Sequence, residues 1–332
     1  MKRIATLTMN PAIDVSYEAD RVFHTHKIRA RQEHYDPGGG GINVARVIAR
    51  LGGTARAHYL AGGATGATLD SLLDLHQMVR SRIPIGGNTR ICTAVYERET
   101  GKEFRFVPHG PAVTQREWQA SLDRLDDIEC DYLVASGSLP PGVPDDFYGR
   151  LQAKARLRGM ELILDSSGAA LQQGLAGGGI LLVKPSLGEL QQLVGRSLAD
   201  RREIATAATD IVKKDQAKYV AVTMGREGAL LAQGSGVLWL PAIPVEAKST
   251  VGAGDSFLAA MTFALACGRD PTDALRYGIA AGAAAVLTPG TDLCHPKEVE
   301  RLYALAGAGG MPAEASINAS GPGPHEAVTG QA

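Results

Sequence analysis

The stretch Ser249 to Ser256 reads Ser-Thr-Val-Gly-Ala-Gly-Asp-Ser, and an almost wholly apolar helix pattern follows it at once. A glycine-rich turn that opens a helix leaves several backbone N–H groups free, and they point to one spot at the positive end of the helix dipole. The turn therefore predicts an anion site. Asp255 lies in the same turn, where a carboxylate is better suited to accept a proton from an attacking hydroxyl than to bind an anion.

This turn indicates phosphoryl transfer, with Asp255 as the base and the backbone amides of Gly252, Ala253 and Gly254 stabilising the charge on the moving group. The alternative is an ordinary glycine turn in which Asp255 caps the helix. The turn alone does not separate these two interpretations, so the rest of the chain has to decide between them.

Composition limits the possible functions. The chain has 332 residues, 45% of them hydrophobic, and a formal net charge of −1, which fits one large α/β domain or two smaller ones. The near-neutral charge argues against a general nucleic-acid-binding protein and against a polybasic membrane protein. Residues 1–110 carry fifteen Lys and Arg against ten Asp and Glu, which suits an anionic small substrate or simply a mildly basic surface.

The cysteines and the apolar segments indicate a cytoplasmic protein. The four cysteines contain no C-x-x-C pair, which suits a reducing compartment and predicts neither a zinc site nor a disulfide framework. The first residues are polar and are soon interrupted by Asn10-Pro11, which does not fit a signal peptide. The longest apolar stretch, around Phe257 to Cys267, is too short to span a bilayer.

Short apolar runs alternate with helical patterns near Phe147–Leu157 and Glu203–Lys214. This alternation predicts a parallel sheet that is covered by helices on both faces. Four of the apolar runs are Tyr132–Ala135, Leu162–Leu164, Ile180–Val183 and Tyr219–Thr223. Because ligands bind at the carboxyl ends of such strands, the motifs that follow the runs should share one face. They begin at Ser136, Asp165, Lys184 and Thr223.

Residues 14–35 and 90–107 interrupt this rhythm and are predicted to form antiparallel strands. The second segment contains a hairpin pattern, with strands at Ile91–Arg98 and Glu103–Val107 around a glycine-containing turn. In the second strand, Phe104 and Phe106 should face one side and Arg105 the other. A small β-sheet that projects from an α/β core would act as a lid, and a second copy of the lid is a natural cover for its apolar face, which predicts a homodimer.

The stretch Pro37 to Asn43 reads Pro-Gly-Gly-Gly-Gly-Ile-Asn and leads into a helix. Glycines before a helix allow a ligand to approach the backbone, and Asn43 can both donate to and accept from a hydroxyl. A plain tight turn is the alternative. The run is not the G-x-G-x-x-G of a dinucleotide fold, which disfavours a nicotinamide-dependent dehydrogenase.

Four motifs occur in this order: Asn10-Pro11-Ala12-Ile13-Asp14, the run from Gly38 to Asn43, Ser136-Gly137-Ser138-Leu139-Pro140, and the stretch Thr250 to Ser256. Together they resemble the phosphofructokinase B-type branch of the ribokinase-like sugar kinases over residues 1–305. The resemblance implies a ribokinase-like α/β domain, with a central, mostly parallel sheet, helices on both faces and a small β-sheet lid. Residues 306–332 lie outside it, and their Gly, Ala, Pro and Ser content predicts a disordered tail.

Within this branch, the glycine run and its flanking segments most resemble bacterial type-2 6-phosphofructokinases. The resemblance implies an ATP- and Mg²⁺-dependent enzyme that phosphorylates the 1-hydroxyl of D-fructose 6-phosphate. Fructose-1-phosphate and tagatose-6-phosphate kinases remain alternatives, although they usually carry Lys in the third or fourth place of the glycine run, where this chain has Gly40. A sugar-phosphate sensor without catalytic activity is an alternative from another class.

The resemblance also implies roles for individual residues. The residues implied to bind the sugar phosphate are Asp14, Lys27, Gly39, Asn43, Arg90, Arg105 and Ser138. Among these, Arg90 and Arg105 would hold the phosphate, whereas without the resemblance either would be read as a solvated surface charge, and Asp14 as a turn residue at a strand end. The residues implied to bind ATP are Lys184, Ser186, Thr223, Gly225 and Gly228.

Metal sites are implied in the same way. Glu189 would order magnesium-bound waters, and Ser186 stands where the family usually has Asn. A monovalent-cation site for K⁺, built mainly of backbone oxygens, would include Ser249, Val251, Ala285, Thr288 and Gly290. Asp292 replaces the Arg that is usual in the type-2 branch, and a carboxylate there should not weaken cation binding.

Overall fold

A computed structural model describes residues 1–308. Its strands are β1 (Ile4–Thr8), β2 (Ala12–Ala19), β3 (Arg31–Gly38), β4 (Ala55–Gly62), β5 (Arg80–Ile85), β6 (Arg90–Glu97), β7 (Lys102–Phe106), β8 (Tyr132–Ser136), β9 (Glu161–Asp165), β10 (Ile180–Val183), β11 (Ala217–Thr223), β12 (Ala229–Gln233) and β13 (Gly236–Leu240). Its α-helices are α1 (Gly40–Arg50), α2 (Gly63–Leu75), α3 (Gln115–Asp123), α4 (Phe147–Leu157), α5 (Gly168–Ala176), α6 (Leu187–Val194), α7 (Arg201–Lys213), α8 (Ala253–Ala266), α9 (Pro271–Ala285) and α10 (Pro296–Ala308).

The main sheet has nine strands in the order β13-β12-β11-β10-β9-β8-β1-β4-β5. All neighbours from β11 to β5 are parallel, and β12 and β13 add antiparallel pairs at one edge. Strands β1, β8 and β10 are buried along their whole length, as expected for parallel strands that are covered on both faces. The predicted architecture is confirmed.

Two hydrophobic clusters cover the two faces of this sheet. One packs α1, α2, α8, α9 and α10 on one face, and the other packs α3 to α7 on the opposite face. Successive residues of a strand point to opposite faces, so in β1 Ile4 belongs to the first cluster and Ala5 to the second. Each face is therefore closed by its own core, and the carboxyl ends of the strands remain as the place for a site.

The second sheet has four strands in the order β3-β2-β6-β7. The hairpin of β6 and β7 is antiparallel, as predicted, and its register pairs Ala94 with Arg105. In the other predicted antiparallel segment, β2 and β3 also pair antiparallel. The central strands β2 and β6, which join these two antiparallel segments, are parallel and pair Asp14 with Cys92, and the sequence pattern did not predict how the segments pair. Both strands follow parallel strands of the main sheet, β1 and β5, after short links, so they leave the main sheet in the same direction.

Two further predictions concern the end of the chain and its apolar segments. Helix α10 runs to Ala308, so the first three residues of the predicted tail, 306–308, are helical. Residues 309–332 of that predicted tail lie outside the described part of the chain. Within residues 1–308, none of the helices has the length and apolar character needed to cross a membrane.

Candidate active site

Asp255 lies in the first turn of α8, at the carboxyl edge of the main sheet. The helix begins after Gly252, which has a left-handed backbone (φ 70°), and a Cβ there would press on the Leu293 side chain. Glycine is therefore required at this position both by conformation and by space. The first backbone N–H groups of α8, which follow this turn, lack partners within the helix and are available to an anion.

The Asp255 carboxylate is half-buried and accepts a hydrogen bond from Asn43 Nδ2 at 2.9 Å. Burial raises the pKa of Asp255, while the Asn43 hydrogen bond and the charge of Lys184 oppose that rise. Lys184 is close, because a Cβ on Gly254 would lie 3.5 Å from its Nζ. The two glycine-rich motifs, which are more than 200 residues apart in sequence, therefore meet at one carboxylate.

The glycine run brings the start of α1 against the strand ends. A Cβ on Gly39, whose φ is 108°, would lie 2.8 Å from Thr8 Cγ2, and a Cβ on Gly40 would overlap the Ser136 hydroxyl. Without side chains at these positions, the helix can approach β1 and β8, which places Asn43 beside Asp255.

Asp14 lies on β2, close to the point where the lid leaves the main sheet. A Cβ on Gly38 would overlap its carboxylate, so Gly38 makes room for it. Burial, followed by the charge of Asp36, raises the pKa of Asp14 to about 6, and the charges of Arg90 and Arg105 act in the opposite direction. Asp14 is therefore a buried carboxylate that interacts with one other carboxylate, Asp36, and with the arginines Arg90 and Arg105.

The two predicted phosphate-binding arginines differ in their surroundings. Arg90 donates to the backbone carbonyls of Pro108 (2.9 Å) and Asn10 (2.8 Å), so it ties together two of the connections between lid and core. Arg105 is half-exposed, and its Nε lies 3.9 Å from Glu103 Oε1. The charge of Arg105 acts to lower the pKa of both Asp14 and Asp255, so its guanidinium is close enough to interact electrostatically with both carboxylates.

Two other predicted sugar-site residues have contrasting positions. Ser138 follows β8 and accepts from Asn10 Nδ2 at 3.3 Å, next to the lid connection. Lys27 lies in the exposed loop between β2 and β3 and has no hydrogen bond or ion pair within residues 1–308. The fold of one chain therefore does not bring Lys27 to Asp255.

Lys184 follows β10 and is almost completely buried, with its Nζ 3.1 Å from Asp165 Oδ1. Burial raises the pKa of Asp165 to about 6, although the charge of Lys184 opposes it. Burial would lower the pKa of Lys184, but the charges of Asp165, Glu189 and Asp255 outweigh it and raise that pKa. Lys184 is thus a buried cation surrounded by three carboxylates.

Ser186 and Glu189 form a capping box at the start of α6. The Ser186 backbone N–H and its hydroxyl both donate to Glu189 Oε2, at 2.7 and 2.9 Å, and the Glu189 N–H donates to Ser186 Oγ at 3.3 Å. Serine therefore keeps the helix cap that an asparagine could provide. The other Glu189 oxygen, Oε1, accepts no hydrogen bond within the described chain.

Thr223 ends β11 and bridges to Ser186, and its N–H donates to Pro185 O at 3.0 Å. Gly225 has a left-handed backbone (φ 55°) with open space around it, so a ligand can approach it closely. Gly228 has φ 99°, and a Cβ there would overlap the Leu240 carbonyl. Of the two predicted glycines, Gly225 is open to a ligand, whereas Gly228 is required by the packing of the sheet edge.

The predicted cation-site residues lie in two loops that the backbone joins, since the Lys248 N–H donates to Val286 O at 2.7 Å. The Thr288 hydroxyl lies 2.6 Å from Ala285 O and 2.9 Å from Asp292 O. Val251 and Ser249 are buried beside them, and Gly290 (φ 62°) approaches Ser16 of the lid. The Thr288 hydroxyl and the carbonyl oxygens of Ala285 and Asp292 thus lie together, and carbonyl oxygens can coordinate K⁺ in proteins.

The Asp292 carboxylate forms ion pairs outside the predicted cation site. Its carboxylate binds Arg50 Nη2 at 2.8 Å and His295 Nε2 at 3.0 Å, and it also accepts from the Leu293 N–H at 2.8 Å. The acidic residue at this position therefore anchors the loop to α1.

The pfkB family carbohydrate kinase model matches residues 6–298. The chain belongs to this family. ATP-dependent 6-phosphofructokinase isozyme 2 from Mycobacterium tuberculosis is 44% identical over 92% of this chain and 90% of its own length, and the Escherichia coli isozyme 2 is 41% identical over 92% and 99%. The crystal structure of E. coli phosphofructokinase-2 in complex with fructose-6-phosphate superposes with a TM-score of 0.88 at 39% identity, and covers 92% of this chain and 100% of the other.

Membership of the pfkB family makes this chain a sugar kinase, and the family uses ATP together with Mg²⁺. The structure brings most of the predicted residues to the carboxyl edge of the sheet, and Lys27 is the exception. Two polar residues of this edge, Asp165 and Asn10, were missed as site residues. Asp165 opens one of the strand-end motifs, so its position was a usable signal.

Proposed function

We propose that this pfkB family chain is an ATP-dependent 6-phosphofructokinase, which transfers the γ-phosphoryl group of ATP to the 1-hydroxyl of D-fructose 6-phosphate and gives fructose 1,6-bisphosphate. The observation that carries the proposal is the Asp255 carboxylate in the first turn of α8, bonded to Asn43 and close to Lys184. The 41–44% identity to proteins named 6-phosphofructokinase isozyme 2 supports the choice of substrate.

Asp255 orients the 1-hydroxyl and accepts its proton. Asn43 holds one carboxylate oxygen, Oδ2, which leaves the other oxygen for the hydroxyl. Burial raises the pKa of Asp255 and makes the carboxylate a better base than an exposed aspartate. Because phosphoryl transfer is loose, the proton moves late, and positioning accounts for most of the effect of this residue.

Two groups of donors stabilise the charge on the moving phosphoryl group. The backbone N–H groups from Gly252 to Gly254 lie at the positive end of α8, and Lys184 lies beside them. Asp165 holds the Lys184 Nζ at 3.1 Å, so the ammonium is already in place before substrates bind. Donors that are fixed in advance cost little reorganisation during the reaction.

The acidic residues fit Mg²⁺ that is held mainly by nucleotide phosphates and water. No cluster of three or more metal-ligating side chains occurs within residues 1–308, and Mg²⁺ commonly binds through one or two carboxylates plus phosphates. Glu189, through its Oε1, and Asp165 would hold this ion through water. When bound, it neutralises charge on the phosphates.

The sugar phosphate binds between the lid and α1. Asp14, Asn43 and the Gly39 backbone take the sugar hydroxyls, while Arg105 and Arg90 take the phosphate, with Ser138 at the edge of the pocket. Charge-assisted hydrogen bonds of this type contribute about 1.5–3 kcal/mol each. Closure of the lid excludes water and limits hydrolysis of ATP.

The oxygen-lined loops at Ser249, Val251, Ala285, Thr288 and Gly290 bind a monovalent cation in this proposal. Support comes from the E. coli phosphofructokinase-2 structure in complex with potassium, which is 40% identical to this chain with a TM-score of 0.89. The cation loops contact the lid through Ser249, whose hydroxyl donates to Glu103 Oε2 at 3.1 Å. Cation binding would therefore stabilise the arrangement of loop and lid together.

The lid also supports a homodimer. On the face opposite Arg105, its exposed apolar side chains include Phe106 (59% exposed) and Ile91. A sheet face of this kind is normally covered, and a second copy of the chain is the cover that we propose. The exposed Lys27 would then complete the site from the lid loop.

A coupled assay with ATP and a panel of sugar phosphates tests the function. We expect ADP formation with fructose 6-phosphate at a kcat/KM at least tenfold above that with tagatose 6-phosphate or fructose 1-phosphate. A preference for either of those two would replace the proposed substrate and keep the kinase. Binding of sugar phosphate without turnover of any of the three would instead indicate a sensor.

A further inference from the structure

A polar cavity of about 470 Å³ lies at the amino-terminal ends of β1, β4 and β5, at the opposite end of the main sheet from Asp255. Its lining includes Arg3, Arg56, His58 and Arg124. The volume is within the usual range for sites that bind small molecules. None of these residues belongs to the kinase site, so the cavity requires its own explanation.

The unpaired ring of His58 is the first indication that the cavity binds a ligand. It lies on β4 and is only 3% exposed, yet neither ring nitrogen has a hydrogen-bond partner within the described chain. Burial of a polar group without a partner is costly, and nearly all buried polar groups are paired. Because the ring lines the cavity, a molecule in the cavity can supply the missing partner.

The charges around the His58 ring indicate which kind of molecule would bind in the cavity. Arg3 pairs with Glu129 at 3.1 Å, and Arg124 Nη1 lies 3.6 Å from Asp127, so carboxylates of the same lining balance the charges of both arginines. The Arg124 contact is too long for a hydrogen bond, so the N–H groups of Arg124 are still available to a ligand. Arg56 forms no ion pair or hydrogen bond within residues 1–308. The lining therefore has one positive charge in excess, on a guanidinium that is free to bind an anion.

Arg56 and His58 are two residues apart on β4, so their side chains point to the same face of the strand. Burial, together with the charges of Arg56 and Arg124, lowers the pKa of His58 to about 4. The ring is therefore neutral at pH 7 and offers one N–H and one acceptor nitrogen. Two arginines and a neutral imidazole N–H form a donor set that matches phosphate oxygens.

We propose that this cavity binds a small phosphate-bearing anion, either free phosphate or a phosphate monoester. Arg56 and Arg124 form charge-assisted hydrogen bonds to its oxygens, and His58 donates its ring N–H. The proposed anion site is separate from the kinase site: it lies at the amino-terminal ends of β1, β4 and β5, whereas the kinase site lies at the carboxyl ends of the strands.

The experiment follows the imidazole ¹⁵N signals of the full chain by NMR at pH 7 and constant ionic strength, with His58→Gln to assign the His58 signals. Titration with inorganic phosphate, and separately with glycerol 3-phosphate, should shift the His58 signals saturably. A response to phosphate alone assigns the site to the free ion, and a response to both assigns it to the phosphate group in general. Removing one charge-assisted bond by Arg56→Gln or Arg124→Gln should weaken the apparent affinity about tenfold or more.

Arg202→Gln is the matched control, because Arg202 is an exposed arginine on α7, away from this cavity, and its variant should bind as the unchanged chain does. Turnover of fructose 6-phosphate should survive in all these variants, which shows that they are folded. The proposal is overturned if His58 does not respond to either anion. It is also overturned if the response keeps its affinity in the Arg56→Gln, Arg124→Gln double variant.

Discussion

Three carboxylates, Asp14, Asp165 and Asp255, share the carboxyl edge of the sheet, and burial raises the pKa of each. The rise in pKa of each carboxylate is opposed by a different set of positively charged side chains. Lys184 acts on Asp165 and Asp255, whereas Arg90 acts on Asp14. The protonation of this edge should therefore change within the range in which the enzyme can be assayed.

Acidification should weaken sugar-phosphate binding. With a pKa of about 6, Asp14 is ionised above pH 6 and takes up a proton below it, and the protonated group is a poorer acceptor for sugar hydroxyls. At saturating ATP, we expect the KM for fructose 6-phosphate to rise as the pH falls from 7 to 5. In Asp14→Asn the KM should be high and nearly independent of pH, and a flat profile in the unchanged chain would contradict the role of Asp14.

The two arginines should behave differently when removed. Arg105 is half-exposed, so Arg105→Ala should raise the KM for fructose 6-phosphate about tenfold to 100-fold, the loss of one charge-assisted bond, and leave the melting temperature unchanged. Arg90 holds two backbone carbonyls at the lid connection, so Arg90→Ala should also lower the melting temperature. Equal effects of the two substitutions on KM and stability would contradict this distinction.

Among individual residues, the sequence predicts those that lie within glycine-rich motifs, because such motifs fix their own backbone shape. Asn43 and Asp255 are examples. It did not predict that Asp165 pairs with Lys184, or that Arg90 binds the carbonyls of Asn10 and Pro108. Those partners are brought together by strand order, which local patterns do not contain.

Among the elements, α6 combines a helix cap with the proposed nucleotide-side residues Ser186 and Glu189. Ser186→Ala removes the capping hydroxyl, and we expect a loss of about 1 kcal/mol in the free energy of unfolding. It also frees Glu189 from one of its hydrogen bonds at the nucleotide side, so the KM for Mg-ATP should rise severalfold.

The matched control is Thr114→Ala, which breaks the same kind of capping box on α3. It should cost a similar free energy of unfolding and leave the KM for Mg-ATP unchanged. If both substitutions change that KM equally, the effect is one of stability alone, and the nucleotide-side role of Ser186 is wrong.

The lid shows that the alternation of apolar and polar residues predicts strands but not the direction in which they pair. Alternation of apolar and polar residues predicted its strands and the side on which Arg105 lies, because a period of two fixes the faces of a strand. The same alternation is found in parallel and antiparallel strands. The parallel pairing of β2 with β6 depends on contacts more than 70 residues apart in sequence, and the sequence pattern made no prediction about it.

For the whole molecule, the lid surface makes a prediction about assembly. If two lids cover each other, Phe106→Ser should shift sedimentation towards the monomer and lower kcat/KM, because the pocket loses its cover. Leu157→Ser is the matched control, since Leu157 is 88% exposed at the end of α4, away from the lid. A dimer that persists in Phe106→Ser as it does in Leu157→Ser would contradict the lid interface.

In our proposal the fold places one catalytic carboxylate, Asp255, at the start of α8, and a matched pair of variants tests this most directly. Asp255 and Asp273 occupy the same position, the third residue, of α8 and α9. Steady-state turnover of fructose 6-phosphate should fall about 10²–10⁴-fold in Asp255→Asn with little change in sugar-phosphate affinity, and remain near that of the unchanged chain in Asp273→Asn. Turnover in Asp255→Asn within a few-fold of the unchanged chain would contradict the account.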